Sequence, residues 1–185
     1  MRIATLGPSG SNHELIAKRY LQIRGSGEGS IELFSQFEDV FQALIAGQVS
    51  HVLQCTAHAT HSDCVGRYMH RAYPVDTFIA GSKPLALLAQ RTVAQPTQVA
   101  LQPATRYYTD LTGYMEIIEV PTIVAVAEGL LRGHFEAGIC AQEVLAQTPE
   151  QLRMVQPLGP ALDTWVMFAT TPLSAASPLR LEAQG

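Results

Sequence analysis

A two-lobed α/β protein is the architecture this 185-residue sequence predicts. Short apolar runs of strand length alternate with longer runs that repeat their apolar residues at helical spacing. A strand-helix-strand pattern near the N-terminus returns later, with Gly47 matching Gly133, Val49 matching Phe135 and Leu53 matching Ile139. Such units build parallel sheets covered by helices, and two equivalent units far apart predict two lobes. The composition, 47% hydrophobic and 15% charged, supplies a core for a chain of this length.

The elements follow in order. RIATL (Arg2 to Leu6) reads as a buried strand, and Gly7-Pro8-Ser9-Gly10-Ser11 turns the chain. Ser11 or Asn12 caps the helix HELIAKRYLQI. GSGEGS (Gly25 to Ser30) is a surface loop, and IELF the next strand. Ser35 and Glu38 have capping-box spacing before the helix FEDVFQALIAG. Gly47 ends that helix and VSHVLQ follows as a strand. In the second copy, EIIEV is a strand, TIVAVAEGLLRG a helix and FEAGIC a strand. VDTFIAGSKPLALLAQ crosses between the lobes, and PALDTWVMFATTP returns to the first. Residues 1–80 with 160–175 are expected to form lobe one, 81–159 lobe two, and 176–185 a flexible tail. Ligands of open α/β sheets bind beyond the carboxyl ends of the strands, which puts the expected site in a cleft between the lobes.

Charge and apolar content exclude several classes. The net charge is −4 and no basic run is present, which argues against nucleic acid as a partner. No run approaches the roughly 18 apolar residues of a membrane helix. The N-terminal apolar stretch is too short for a signal-peptide core, so a cytoplasmic location is expected. Three cysteines in apolar surroundings fit free thiols better than a disulfide framework.

TLGPSGSNHELIAKRY resembles the N-terminal signature of prephenate dehydratases, G-P-x-G-[TS]-x-x-E before an Ala-containing helix. Gly7, Pro8, Gly10, Ser11, Glu14, Ala17 and Tyr20 fit it. The resemblance continues through FEDVFQALIAGQVSHVLQ, VALQPATRYY, PTIVAVAEGLLRGHFEAGICAQEVLAQ and DTWVMF, over about 160 residues. It implies a two-lobed, periplasmic-binding-protein type II-like fold and a cofactor-free lyase acting on a small carboxylic acid such as prephenate. The departures are informative. Val166-Met167-Phe168 stands where the family has Thr-Arg-Phe, Gln102-Pro103 where it has His-Pro, and Cys55 to Ala59 where it has Pro-x-Glu-Asn-Ser. The chain is closest in character to the non-aromatising prephenate decarboxylases, which are similarly short and share a His-Ala pair, here His58-Ala59. Loss of carbon dioxide without loss of water requires that the hydroxyl not be protonated, and Val166 has no proton to give. Another carboxylated ring or dienoic acid is an equally serious substrate.

The candidate residues follow from position. The loop Gly7 to Asn12 ends a strand and opens a helix, where free N–H groups and the helix dipole favour an anion. Ser11, Asn12 and His13 are its side-chain contributors. Arg106 could pair with a carboxylate bidentately; Arg67 and Lys83 are weaker candidates of that type. Trp165 is either core or site wall, and Thr122 caps its helix. Cys140 reads by default as an inert buried thiol, with a proton donor or nucleophile as the alternative if its pKa is lowered.

LQCTAHATHSDC spaces Cys55, His58, His61 and Cys64 three residues apart. Such a row drifts about 60° per step on a helix and flips faces on a strand, so four ligands do not close round one ion. No metal and no cofactor is therefore expected. The stretch begins where a strand ends, which makes Cys55 and His58 the candidate catalytic proton donors, with Thr56 a binding hydroxyl between them. His61 and Cys64 read as supporting residues. Beside the lyase, two alternatives stay open: a non-catalytic module that binds a small carboxylate, and a metal-dependent enzyme using this loop. Symmetry statistics favour a homodimer.

Overall fold

The computed structural model describes residues 1–25 and 28–180. Ser26 and Gly27 of the expected surface loop, and the last five residues of the expected tail, lie outside the described residues. The chain divides into two compact units, Met1–Ala80 with Leu162–Gly185, and Gly81–Ala161.

The first unit is built from β1 (Arg2–Leu6), α1 (Asn12–Arg24), β2 (Ser30–Phe34), α2 (Phe37–Ile45), β3 (His51–Cys55), α3 (His61–Arg67), β4 (Tyr73–Gly81) and β10 (Leu162–Ala169). Its five-stranded sheet has the order β2-β1-β3-β10-β4. β1 is parallel to β2 and β3, while β10 runs antiparallel to β3, with Trp165 opposite Cys55 and Val166 opposite Gln54. Side chains alternate along each strand, so the sheet has two distinct faces. One face carries Ile3, Leu53, Cys55, Trp165 and Met167 under Ile16, Ala17 and Leu21 of α1. The other carries Ala4, Val52 and Phe168 under Phe37, Val40, Phe41 and Leu44 of α2 and Cys64 and Tyr68 from the α3 region. Each large side chain so enclosed contributes about 1.5–3 kcal/mol of transfer free energy.

The second unit holds β5 (Leu85–Gln90), β6 (Gln98–Leu101), a 3-10 turn (Pro103–Thr105), β7 (Glu116–Glu119), α4 (Ile123–Leu131), β8 (Ala137–Ala141), α5 (Glu143–Gln147) and β9 (Leu152–Gly159). Its sheet order is β7-β6-β8-β5-β9. β6 is parallel to β7 and β8, and β5 is antiparallel to β8. All six residues of β5 are buried, which fits an interior strand of a sheet covered on both faces. Each unit thus repeats one plan: three parallel strands followed by an antiparallel fourth.

The repeat extends to helix termination. Gly47 and Gly133 both adopt φ 72°, a left-handed conformation that glycine takes without a Cβ clash. Gln48 donates its N–H to the Ala43 carbonyl at 2.9 Å, and His134 to that of Gly129 at 2.8 Å. Both helices therefore close on the same glycine-centred stop.

One expected cap is corrected. Ser35 does not cap α2; Gln36 occupies the N-cap position and its side chain makes no capping bond. Glu38 turns away from the expected box because Tyr68 donates its hydroxyl to Oε1 at 3.0 Å and Arg67 pairs with Oε2 at 3.3 Å. Tertiary partners outcompete the local box. Thr122 caps α4 as expected, accepting the N–H of Ala125 at 3.0 Å.

Candidate functional site

The carboxyl ends of β1, β2 and β3, with the start of the antiparallel β10, form one edge of the first unit's sheet. Of the residues expected at a site, Ser11, Asn12, His13, Cys55, Thr56, His58 and Trp165 all lie along this edge. Arg106 belongs to the second unit, where it follows the 3-10 turn and its Nη2 donates to Glu119 Oε1 at 2.7 Å.

The loop opening α1 satisfies most of its own donors. Ser11 is the N-cap and its Oγ accepts the N–H of Glu14 at 3.2 Å. Glu14 reaches back, so its carboxylate accepts the Gly10 N–H at 2.6 Å and the Ser9 hydroxyl at 3.0 Å. Lys18 pairs with the same carboxylate at 2.6 Å. These bonds, first that to Lys18 and then that to Gly10, pull the Glu14 pKa down to about 2. Part of the expected anion site is therefore filled by an anion from the chain itself. The physical reason is the N3 position of Glu14, one turn into the helix, from which a glutamate reaches the preceding loop.

Four rings gather next to that loop. The His13 ring lies 5.5 Å from Phe37, 6.1 Å from His58 and 5.0 Å from Trp165, and Phe37 lies 4.8 Å from His58. All four contacts are edge-to-face, the arrangement that ring quadrupoles favour. Burial, with a smaller push from His58, lowers the His13 pKa to about 3. Burial, followed by the nearby His61, also lowers that of His58. Both imidazoles are thus held toward their neutral forms. Thr60 donates its backbone N–H to His58 Nδ1 at 3.2 Å, which leaves the ring proton on Nε2. His13 Nε2 and Trp165 Nε1 are buried without a hydrogen-bond partner. Buried polar ring atoms left idle are costly and uncommon, and they mark places where a ligand group can be received.

Cys55 ends β3 beneath this cluster, packed with Trp165 and α1. Burial pushes its thiol up to about 11, although the N–H groups of Ala57 and His58 oppose the shift. It is a neutral thiol rather than a nucleophilic thiolate. Thr56 ties the loop to β10, its N–H and hydroxyl both donating to the Thr164 carbonyl at 3.0 and 3.1 Å. That bond brings Asp163 to the same edge, close enough to raise the Cys55 pKa. The Asp163 carboxyl is itself raised by burial.

The four residues of the Cys/His row part company here. Cys55 faces α1, whereas Cys64 is buried on the opposite face of the sheet. His61 Nδ1 lies 3.0 Å from Gln54 Oε1. Among the described residues, no three His, Cys, Asp or Glu side chains converge to hold a metal ion. Cys140 is buried in the second unit and its thiol is pushed up to about 12 by burial.

Phe37 and Asp163 were not apparent from the sequence. Phe37 reads there as the first apolar residue of an amphipathic helix, and Asp163 as a polar residue within the returning strand PALDTWVMFATTP. Their place at the site depends on α2 opening at this edge and on β10 running antiparallel to β3. The one available signal was that Asp163 precedes Trp165 in DTWVMF.

No protein-family model and no curated relative matches the sequence. Solved structures match its fold. A prephenate dehydratase from Arthrobacter aurescens, solved in complex with L-Phe, superposes with a TM-score of 0.67 at 16% identity, over 92% of this chain and 61% of that one. An ABC transporter from Parabacteroides distasonis gives 0.58 at 16% identity, over 91% of this chain and 65% of that one. The periplasmic VFT2 domain of BvgS from Bordetella pertussis gives 0.56 at 13% identity, over 92% and 80%. The chain therefore has the α/β fold shared by type II-like substrate-binding domains and prephenate dehydratase, and it spans less than two thirds of the first two proteins. Among the described residues, no helix is long and apolar enough to cross a membrane.

Proposed function

We propose that the carboxyl edge of the first sheet binds a small unsaturated or cyclic carboxylic acid, and that the chain is a cofactor-free lyase of decarboxylase character. The observation that carries this reading is the ring cluster of His13, Phe37, His58 and Trp165, with its neutral imidazoles and two idle ring nitrogens. Trp165 Nε1–H and His58 Nε2–H are donors suited to one acidic or carbonyl group of a ligand. The cluster includes no Lys or Arg, so a second carboxylate held against Phe37 and Trp165 is poorly solvated. Poor solvation of a carboxylate favours breaking its bond to the ring carbon, which leaves as carbon dioxide while the electron pair stays on the ligand. A proton from a neutral donor then completes the exchange. The Cys55 thiol, with the Asp163 carboxyl beside it, is that donor in this reading.

The fold likeness to a prephenate dehydratase supports the substrate class; Val166, which the resemblance aligns with the family's threonine, packs on the opposite face of the sheet beside Phe168 and plays no part in the proposed step. The test is incubation of the purified protein with prephenate and related unsaturated acids. Release of carbon dioxide without formation of an aromatic product is expected, and its loss in Cys55→Ala together with Asp163→Asn. No release of carbon dioxide from any of them overturns the reading.

One observation favours a second reading, binding without turnover. His58 Nδ1 is capped by Thr60, so His58 offers a hydrogen bond rather than a proton-accepting site. Saturable binding of a carboxylate with no turnover would establish it.

A further inference from the structure

The face of the first sheet opposite Cys55 carries a pocket that the proposed reaction does not use. Its volume is about 360 Å³, within the range of small-molecule sites. Val166 and Phe168 of β10 line it from the sheet, and Phe41 of α2 with Tyr68 from the helices. Val65 and Met69, 44% and 62% exposed, stand at its mouth.

The walls are held in place by their own contacts. The Tyr68 ring stacks on Phe41 at 4.9 Å and carries the Arg71 guanidinium 5.2 Å from its centroid. Phe41 in turn meets Phe168 edge-to-face at 5.3 Å. The turn out of α3 is fixed at His70, which adopts φ 67°, a left-handed conformation uncommon for a residue with a Cβ. Tyr73 holds that turn by donating its hydroxyl to the His70 carbonyl at 2.8 Å. Rings locked to one another and a fixed turn keep the space open.

The hydroxyls and the thiol of the lining are engaged elsewhere. Tyr68 donates its hydroxyl to Glu38 Oε1 at 3.0 Å, Tyr73 is bound as above, and the Cys64 thiol lies 3.9 Å from Thr60 Oγ1. His61 Nδ1 lies 3.0 Å from Gln54 Oε1, and burial lowers the His61 pKa, which keeps its ring neutral. No Asp, Glu, Lys or Arg is among the described lining residues. A charged ligand would lose its hydration here and meet no counter-charge. An apolar one loses no hydrogen bond and takes hydrocarbon surface out of water on both sides of the contact.

We infer that this pocket is a binding site for a small, uncharged, apolar molecule the size of one substituted ring, held by hydrocarbon contact. An apolar cavity of roughly 150 Å³ already accepts benzene. A protein partner suits the space less well, because a stable interface buries roughly 800 Å² from each side and this pocket takes one ring. The site is separate from the ring cluster and stands whether or not that cluster is catalytic.

Benzene, toluene and ethylbenzene form a probe series that grows by one carbon at a time, and benzoate and benzylammonium add a charge of either sign. Each is titrated into the full chain and followed by protein-observed NMR. The hydrocarbons are expected to give saturable shifts at Val65, Met69 and Val166, with affinity rising about fourfold per added carbon, the worth of one buried CH₂. Both ions are expected to leave these signals unmoved. Val166→Phe fills the pocket from the sheet and Val65→Trp from the mouth, and each should abolish the toluene shifts. Val65 is partly exposed, so the second variant keeps the test decisive if the first does not fold. Absence of saturable hydrocarbon shifts, benzoate binding as tight as that of toluene, or undiminished toluene binding in folded Val65→Trp overturns the inference. Movement of the same signals when protein concentration alone is raised also overturns it, and would assign the pocket to a second copy of the chain.

Discussion

Replacing Trp165 by phenylalanine separates an idle donor kept for a ligand from an ordinary core residue. Trp165 is 2% exposed and packs with Ile3, Ile16, Leu53 and Met167. The change removes roughly three heavy atoms, and lost transfer energy plus the residual cavity cost about 2 kcal/mol. It also removes a buried N–H with no partner, whose burial costs about 1–3 kcal/mol. The two effects offset, so Trp165→Phe is expected to change stability by less than about 1 kcal/mol. Phe168→Leu is the control. It lies on the same strand, is 3% exposed, loses a similar number of atoms and relieves no polar group. It should cost about 2 kcal/mol. Urea unfolding of both variants reads the difference directly, through midpoints at constant slope. A carboxylate that binds the unaltered protein should bind Trp165→Phe at least tenfold more weakly, because a hydrogen bond to a charged group is worth about 1.5–3 kcal/mol. Equal destabilisation by the two substitutions would refute the reasoning, since it would mean that the indole N–H carries no penalty.

Other expectations can be checked by the same unfolding measurements. Ser11→Ala removes a true cap and should cost about 1 kcal/mol, whereas Ser35→Ala should stay within about 0.5 kcal/mol. Gly47→Ala and Gly133→Ala should each cost about 1 kcal/mol, because both sit at φ 72° with nothing near the added Cβ, leaving backbone strain as the sole penalty. A near-zero effect at either would break the structural equivalence of the two helix stops. His13 has a folded pKa of about 3 against 6.5 in the unfolded chain. The unfolded state therefore takes up the proton first. The group's contribution is complete above pH 6.5 and falls by about 1.4 kcal/mol per pH unit on acidification toward pH 3. His13→Phe should flatten that part of the stability profile, and an unchanged slope would assign the acid sensitivity to other groups.

Much of the local architecture was legible in the sequence. Strand-length apolar runs, the Ser11 and Thr122 caps and the glycine stops at 47 and 133 are governed by neighbours within a few residues, so pattern and turn chemistry report them. The Ser35 box failed because Tyr68 and Arg67, distant in sequence, claim Glu38. The anion loop was located, but its occupation by Glu14 turned on a side-chain conformation that spacing alone does not specify.

The sequence by itself determined the fold class, the order of the elements and the edge of the sheet on which Ser11, His13, Cys55 and His58 fall. Periodicity and capping encode those directly, because each depends on local backbone preference and on which residues avoid water. Tertiary structure alone decided the chemistry at that edge. The antiparallel return of β10 sets Trp165 opposite Cys55 and brings Asp163 alongside. The opening of α2 delivers Phe37 to the imidazoles. Desolvation then fixes the charge states, neutral rings at His13 and His58 and a protonated thiol at Cys55. A protonation state depends on everything packed around a group, and no local pattern in the chain records that.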